Sequence, residues 1–531
     1  MSKYYKLRPA VLKNRLNRIL SSAVPIIIWP RRGSVIPAAW VITVIFILLS
    51  AGDLTARSDI RDAMVKIYSV QIEPYYYDPW SMNRQTFTSG SGCVIEGNRI
   101  LTNAHIVSDQ SFLQVRRHGV AKKHTARVVS VSHPADLALL TVDDPAFFKS
   151  VAPLQMGELP EVQQEVAVYG FPEGGDTLSI TKGVVSRIEH DAYAHSSMVL
   201  LAVQIDAAIN SGNSGGPVVV DHHLSGVVMQ YLQDSENIGY MVPTPVIRHF
   251  LTDITDGHHD GIPEDGIIVQ DMENDSLKNK YRLGQNRSGV LVVSVLPGAP
   301  AEGIVKPGDV ILAVDGNDVA DDGTIEFRPR ERTSKVYYTQ LHQLGEKLRL
   351  DILRDHSEKT VSFTLDKAVG TLDLVAKERY DVRPTYFIYG GLIFIPLTQN
   401  YLMSWGDDWY DSAPKNLVAL YKFGQPTVQG EEAVILSKVL PAEVNSGYHN
   451  YRDLRIVAVN NRQIFNLRQL MQAVETTAQD PFIEFNTDQG FKIVLNRKRV
   501  AAAQSAILKT YSVPSDRSED LRKSLSMAGS P

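Results

Sequence analysis

The 531-residue sequence predicts a mainly β protein, a double β-barrel followed by two smaller α+β domains, with a transmembrane helix near the N-terminus. Three observations predict it. Between residues 59 and 255, short apolar runs are interrupted about every 8–12 residues by Gly, Pro, Asn or Asp, the spacing of an all-β domain. Downstream, one pattern of strand, turn and hairpin occurs twice. Upstream, residues 35–51 form an apolar run without a single charge.

The N-terminal segment comes first. Residues 1–34 carry lysines and arginines but no acidic residue, and they lead directly into the apolar run. Roughly 17–25 apolar residues span a bilayer, so residues 35–52 are read as a membrane anchor. Positive charge before the anchor keeps the N-terminus cytoplasmic and sends the rest across. This predicts a single-pass protein of the inner (cytoplasmic) membrane with its domains on the periplasmic side. Two other readings stand beside it: a cleavable signal peptide ending at Ser50-Ala51-Gly52, and an Arg-rich organellar transit peptide.

Within the barrel region, Gly212-Asn213-Ser214-Gly215-Gly216-Pro217 places a serine on a glycine-rich turn entering the apolar run Val218-Val219-Val220. A serine hydroxyl becomes a nucleophile only with a base beside it, a carboxylate behind the base, and donors for the oxyanion formed. His105, ending Leu101-Thr102-Asn103-Ala104-His105, is the candidate base. Asp136, opening Asp136-Leu137-Ala138-Leu139-Leu140, is the candidate carboxylate. The backbone N–H groups of Gly212 and Ser214 are the candidate oxyanion hole. The chain order His, Asp, Ser is that of chymotrypsin-like double barrels, with His105 and Asp136 from the first barrel and Ser214 from the second.

These strings closely resemble the Deg/HtrA serine proteases, a trypsin-like family with C-terminal PDZ domains. Residues 322–332 and Tyr389-Gly390-Gly391-Leu392-Ile393-Phe394-Ile395-Pro396-Leu397 resemble the plant-type Deg subgroup, in which the second PDZ domain is divergent. The resemblance implies a trypsin-like protease domain at 59–255, a PDZ domain at 262–370 and a divergent PDZ-like domain at 380–500. It also implies a serine endopeptidase that degrades misfolded or unfolded exported proteins, forms a homotrimer or higher assembly, and needs no cofactor. Ala208, six residues before the nucleophile, would floor the S1 pocket, with Met229, Gln230, Tyr231, Tyr240 and Val242 as walls. An uncharged floor leaves a basic side chain without a partner, so small or medium aliphatic P1 residues are expected. The alternative is a chaperone or scaffold with a protease fold held inactive.

The PDZ carboxylate nest falls at Glu264-Asp265-Gly266-Ile267. Family members carry an apolar residue where Asp265 stands, and an acidic pair should repel an incoming carboxylate. Residues 73–87 are polar, aromatic and too short to reach a neighbouring subunit. The aromatic stretch 385–410 is read as core and interdomain packing, with an apolar groove for unfolded chains or a sister subunit as the other reading. Residues 511–531 are read as a disordered tail. The single cysteine, Cys93, allows no intrachain disulfide and is read as a packed core residue. His222-His223 and His258-His259 lack the accompanying Cys or spaced carboxylates of a metal site, so none is expected. A net charge of -5, with no basic stripe beyond the N-terminus, excludes a nucleic-acid footprint.

Overall fold

The computed structural model describes residues 59–231, 239–284, 286–476 and 480–522. The first part of the protease region is an antiparallel seven-stranded sheet in the order His124–Thr125, Gln110–Arg117, Met64–Gln71, Thr86–Ile95, Arg99–Thr102, Leu137–Thr141, Arg127–Ser132. The second part is a closed six-stranded barrel built from Glu165–Gly170, Ser179–Ala192, Val199–Ile205, Gly239–Pro243, His223–Tyr231 and Pro217–Val220. The helix Thr244–Asp253 follows, burying Val246, Ile247 and Phe250 against the barrel.

Leu137–Thr141 shows why a half-buried alternation is missing from the sequence at this point. Successive side chains of a strand point to opposite faces. Leu137 and Leu139 enter the core shared with the second barrel, whereas Ala138 and Leu140 enter the core of the first sheet. Both faces are buried, so the strand reads as a continuous apolar run.

The first PDZ domain has a six-stranded sheet whose main path is Ile267–Gln270, Val290–Val295, Val310–Val314, Lys347–Arg354 and Ser357–Thr364. Its hairpin, Thr324–Arg328 with Glu331–Ser334, docks on the second barrel. His190 Nδ1 lies 2.7 Å from Thr333 Oγ1, and Arg328 donates twice to the Pro160 carbonyl at 3.0 and 3.1 Å. The second PDZ-like domain has a seven-stranded sheet with Leu467–Thr476 on it, burying Leu470, Met471 and Val474.

Residues 73–87 do not stand apart as a surface loop. Tyr76 is buried in a core of the second PDZ-like domain, the Trp80 and Tyr386 rings are 6.0 Å apart edge to face, and Asp78 accepts from Lys438 Nζ at 2.5 Å. Much of the aromatic stretch 385–410 is thereby spent on core and interdomain packing.

Two expectations are corrected. Residues 511–522, placed in a disordered tail, are packed: Val513 and Leu521 are buried, the Ser518 N–H donates to the Tyr386 carbonyl at 3.0 Å, and Arg517 lies over the Phe387 ring. Two apolar anchors among polar neighbours suffice to hold the segment; residues 523–531 lie outside the described residues. Among the described residues the fold class is mainly β, and the predicted transmembrane helix is not found there. No helix among the described residues is long and apolar enough to cross a membrane, and residues 1–58, which include the predicted anchor, lie outside them.

Candidate active site

The hairpin Thr86–Ile95 with Arg99–Thr102 delivers the chain into Asn103-Ala104-His105 at the end of an interior strand of the first sheet. Asp136 sits at the corner of a turn whose N–H donates to the His133 carbonyl at 3.1 Å, with φ of 50°. Hydrogen bonds join the two segments. The His105 N–H donates to Asp136 Oδ1 at 3.0 Å, His105 Nδ1 donates to Asp136 Oδ2 at 2.8 Å, and Asn103 Nδ2 donates to the Asp136 carbonyl at 2.8 Å. The contact fixes the tautomer: with its proton on Nδ1, His105 presents a free Nε2.

The electrostatics follow from burial and pairing. Burial alone would depress the His105 pKa, but the charge and hydrogen bond of Asp136 outweigh it and hold the imidazole above its ordinary value. Asp136, 2% exposed, would be raised by burial. The charge and hydrogen bonds of His105 hold it below the usual carboxylate range instead.

Ser214 is positioned by the first sheet. The Ser91 N–H donates to the Ser214 carbonyl at 2.8 Å, and Ser91 Oγ donates to the Gly212 carbonyl while accepting from the Phe171 N–H, both at 2.7 Å. The glycines on either side are required. Gly212 has φ of 92°, and a Cβ there would lie 2.5 Å from the Phe171 carbonyl oxygen; one on Gly215, at φ of 80°, would lie 2.2 Å from the Ser91 oxygen.

The Ser211 carbonyl accepts from the Glu173 N–H at 2.7 Å. In a trans peptide the C=O and N–H point to opposite sides, so the Gly212 N–H is turned away from the Phe171-Pro172-Glu173 segment. Among the described residues, neither the Gly212 nor the Ser214 N–H donates to a protein acceptor. Two backbone donors are thus left for a ligand at the nucleophile turn.

The S1 residues are placed less uniformly. Ala208 is exposed and its carbonyl accepts from Thr181 Oγ1 at 3.0 Å. Met229 is packed in the core of the second barrel, 4% exposed. Tyr240 is buried, its hydroxyl accepting from Arg187 at 2.8 Å. The side chains of Gln230 and Tyr231 lie outside the described residues. Cys93 is buried, and desolvation pushes its thiol up to about 12, far from a reactive thiolate. Among the described residues no group of three or more His, Cys, Asp and Glu is placed to hold a metal.

Sequence reasoning passed over Ser91 and His195. Ser91 lies in Ser89-Gly90-Ser91-Gly92, where small residues on a buried strand signal a close backbone approach. For His195, whose ring is 6.0 Å from that of His105, the sequence holds no signal.

Residues 90–227 match the trypsin-like peptidase domain, and residues 266–365 and 375–520 each match a PDZ domain. The chain is therefore a trypsin-like serine endopeptidase bearing two PDZ domains. Protease Do-like 4, mitochondrial, of Arabidopsis thaliana is 38% identical over 86% of this chain and 84% of its own length. Protease Do-like 2, chloroplastic, from the same plant is 38% identical over 87% of this chain and 75% of its own. Among solved structures, the HtrA-type protease AlgW with tripeptide is 22% identical, with a TM-score of 0.47 over 59% of this chain and 95% of that one. The chain belongs to the Deg/HtrA family of Do-like proteases. The expected inner-membrane localisation is corrected: these relatives are named as mitochondrial and chloroplastic proteins, and among the described residues no helix is long and apolar enough to cross a membrane.

Proposed function

We propose that the protein cleaves unfolded or misfolded proteins through an acyl-enzyme, with Ser214 as nucleophile, His105 as general base and Asp136 orienting it. The observation that carries this reading is the His105–Asp136 pair, whose 2.8 Å hydrogen bond leaves Nε2 free for the serine proton. His105 Nε2 takes that proton as Ser214 Oγ attacks the scissile carbonyl, then returns it to the leaving amine; water repeats the sequence on the ester. The Gly212 and Ser214 N–H groups receive the oxyanion, each such donor being worth roughly 3 kcal/mol in the transition state.

The uncharged Ala208 favours small or medium aliphatic P1 residues. A matched peptide series in which Lys or Arg is cut faster than Val overturns that preference. Assembly as a trimer through the protease domain is part of the same proposal. Val70 pairs across strands with both Phe87 and Phe112, and these phenylalanines are 78% and 47% exposed, an apolar stripe suited to a sister subunit. Sedimentation of Phe87→Asp as a monomer supports this; an unchanged assembly removes the stripe from it.

The first PDZ domain serves substrate binding or assembly by a route other than carboxylate capture. Asp265 is buried, its Oδ1 accepts the Ile267 N–H at 2.9 Å, and Lys335 Nζ lies 3.5 Å from Oδ2, so the nest already holds a carboxylate of its own.

The deciding experiment is hydrolysis of casein by residues 57–531 beside the Ser214→Ala variant. Cleavage lost in the variant supports the proposal. Casein left whole by the unaltered protein, with its aggregation suppressed, favours the chaperone reading instead.

A further inference from the structure

His105 and Asp136 hang on turns, and both turns contain a left-handed residue. Asp136 has φ of 50°, and so does Asp109, four residues beyond His105. Aspartate tolerates this region better than most residues.

One residue supports both. Asp381 lies near the start of the second PDZ match. The Asp109 N–H donates to Asp381 Oδ1 at 2.7 Å, and the Asp381 N–H donates back to Asp109 Oδ1 at 2.9 Å. Asp381 Oδ2 accepts from His133 Nε2 at 2.9 Å, and the His133 carbonyl closes the turn that carries Asp136.

His133 Nδ1 lies 3.0 Å from His195 Nε2, and the His195 ring stacks on Tyr380 with centroids 3.9 Å apart. The Tyr380 hydroxyl donates to the His195 carbonyl at 2.5 Å. With Asp381 ionised, the proton of His133 sits on Nε2, so Nδ1 accepts from a neutral His195. Burial keeps His195 neutral, lowering its pKa to about 3.

The geometry points to Asp381 and Tyr380 as positioning residues for the hydrolysis: the opening segment of the second PDZ-like domain clamps the turns carrying His105 and Asp136. The clamp moves with the second PDZ-like domain. The Arg379 N–H donates to Asn400 Oδ1 at 2.9 Å, Asn400 Nδ2 donates to the Arg379 carbonyl at 3.0 Å, and the Gln399 N–H donates to the Ala376 carbonyl at 2.9 Å. Undocking that domain would withdraw Asp381 from both turns. This inference rests on the proposed triad.

The test measures kcat and KM of the full chain on a fluorogenic peptide across the pH range, for Asp381→Ala, Asp381→Asn and Ser214→Ala. A misplaced catalytic pair predicts a fall in kcat of about 10- to 100-fold for Asp381→Ala, with KM little changed. It also predicts that the acid limb of kcat/KM moves to lower pH, because Asp136 is what holds the His105 pKa up. Asp381→Asn keeps an acceptor and an N–H for Asp109, so it retains more activity than the alanine variant; it carries the test where alanine does not fold. Wild-type kcat and an unmoved acid limb in Asp381→Asn overturn the clamp, as does an activity loss that merely tracks the folded fraction. Hydrolysis persisting in Ser214→Ala overturns the triad reading instead.

Discussion

Ser91→Ala should disable the enzyme while leaving His105, Asp136 and Ser214 untouched. Ser91 is 0% exposed, and its hydroxyl serves the Gly212 carbonyl and the Phe171 N–H at once. Removing it strands two buried polar groups, each costing about 1–3 kcal/mol, so the ordered nucleophile turn loses about 2–6 kcal/mol of support. The turn can relieve this by rotating the Gly212 peptides, which misaims the Gly212 N–H. Loss of one oxyanion donor is worth about 3 kcal/mol, so kcat should fall roughly 100-fold with KM nearly unchanged. Fluorogenic peptide hydrolysis reads this, with urea unfolding of the same preparation reporting folded protein. A kcat within about threefold of wild type refutes the reasoning, and so does a loss that vanishes once activity is corrected for folded protein.

Lowering the pH should loosen the first PDZ domain from the protease. Burial pushes His190, facing Thr333 and Gln340, down to about 4, whereas the undocked ring titrates near 6.5. The docked state resists the proton, so docking is strongest above about pH 6.5 and weakens as pH falls toward 4. Hydrogen exchange of Glu331–Ser334 should rise in that window, and His190→Gln should abolish the change. Asp265→Ala should free the Ile267 N–H, so that the first PDZ domain binds a peptide with a free C-terminal carboxylate and ignores its amide; wild type should bind neither by calorimetry. Thiol reagents should leave Cys93 unmodified in the native protein while a serine-directed phosphonate inactivates it, as mass spectrometry would show.

Local chemistry was legible in the sequence, and distant polar contacts were not. His105, Asp136 and Ser214 each sit in a short string whose glycines, turn residues and adjoining apolar strand are continuous in the chain. The all-β character of the protease region was legible for the same reason, since turn spacing is a local property; that its first half is a seven-stranded sheet and its second a closed barrel was not. Ser91 acts on a residue 121 positions away, and Asp381 reaches His133 across 248. A lone serine or aspartate carries no pattern that announces such a partner. The segment 511–522 was misread because composition averages over Val513 and Leu521, the two residues that anchor it.

The contact between Asp109 and Asp381 spans 272 positions of the chain. At a synthesis rate of roughly 5–20 residues per second, the turn beyond His105 waits roughly 15–50 s on the ribosome for its partner to be made. All three reactive side chains have emerged long before then. A nascent or prematurely terminated chain that stops short of Asp381 therefore carries His105, Asp136 and Ser214 without the aspartate that reaches Asp109 and His133.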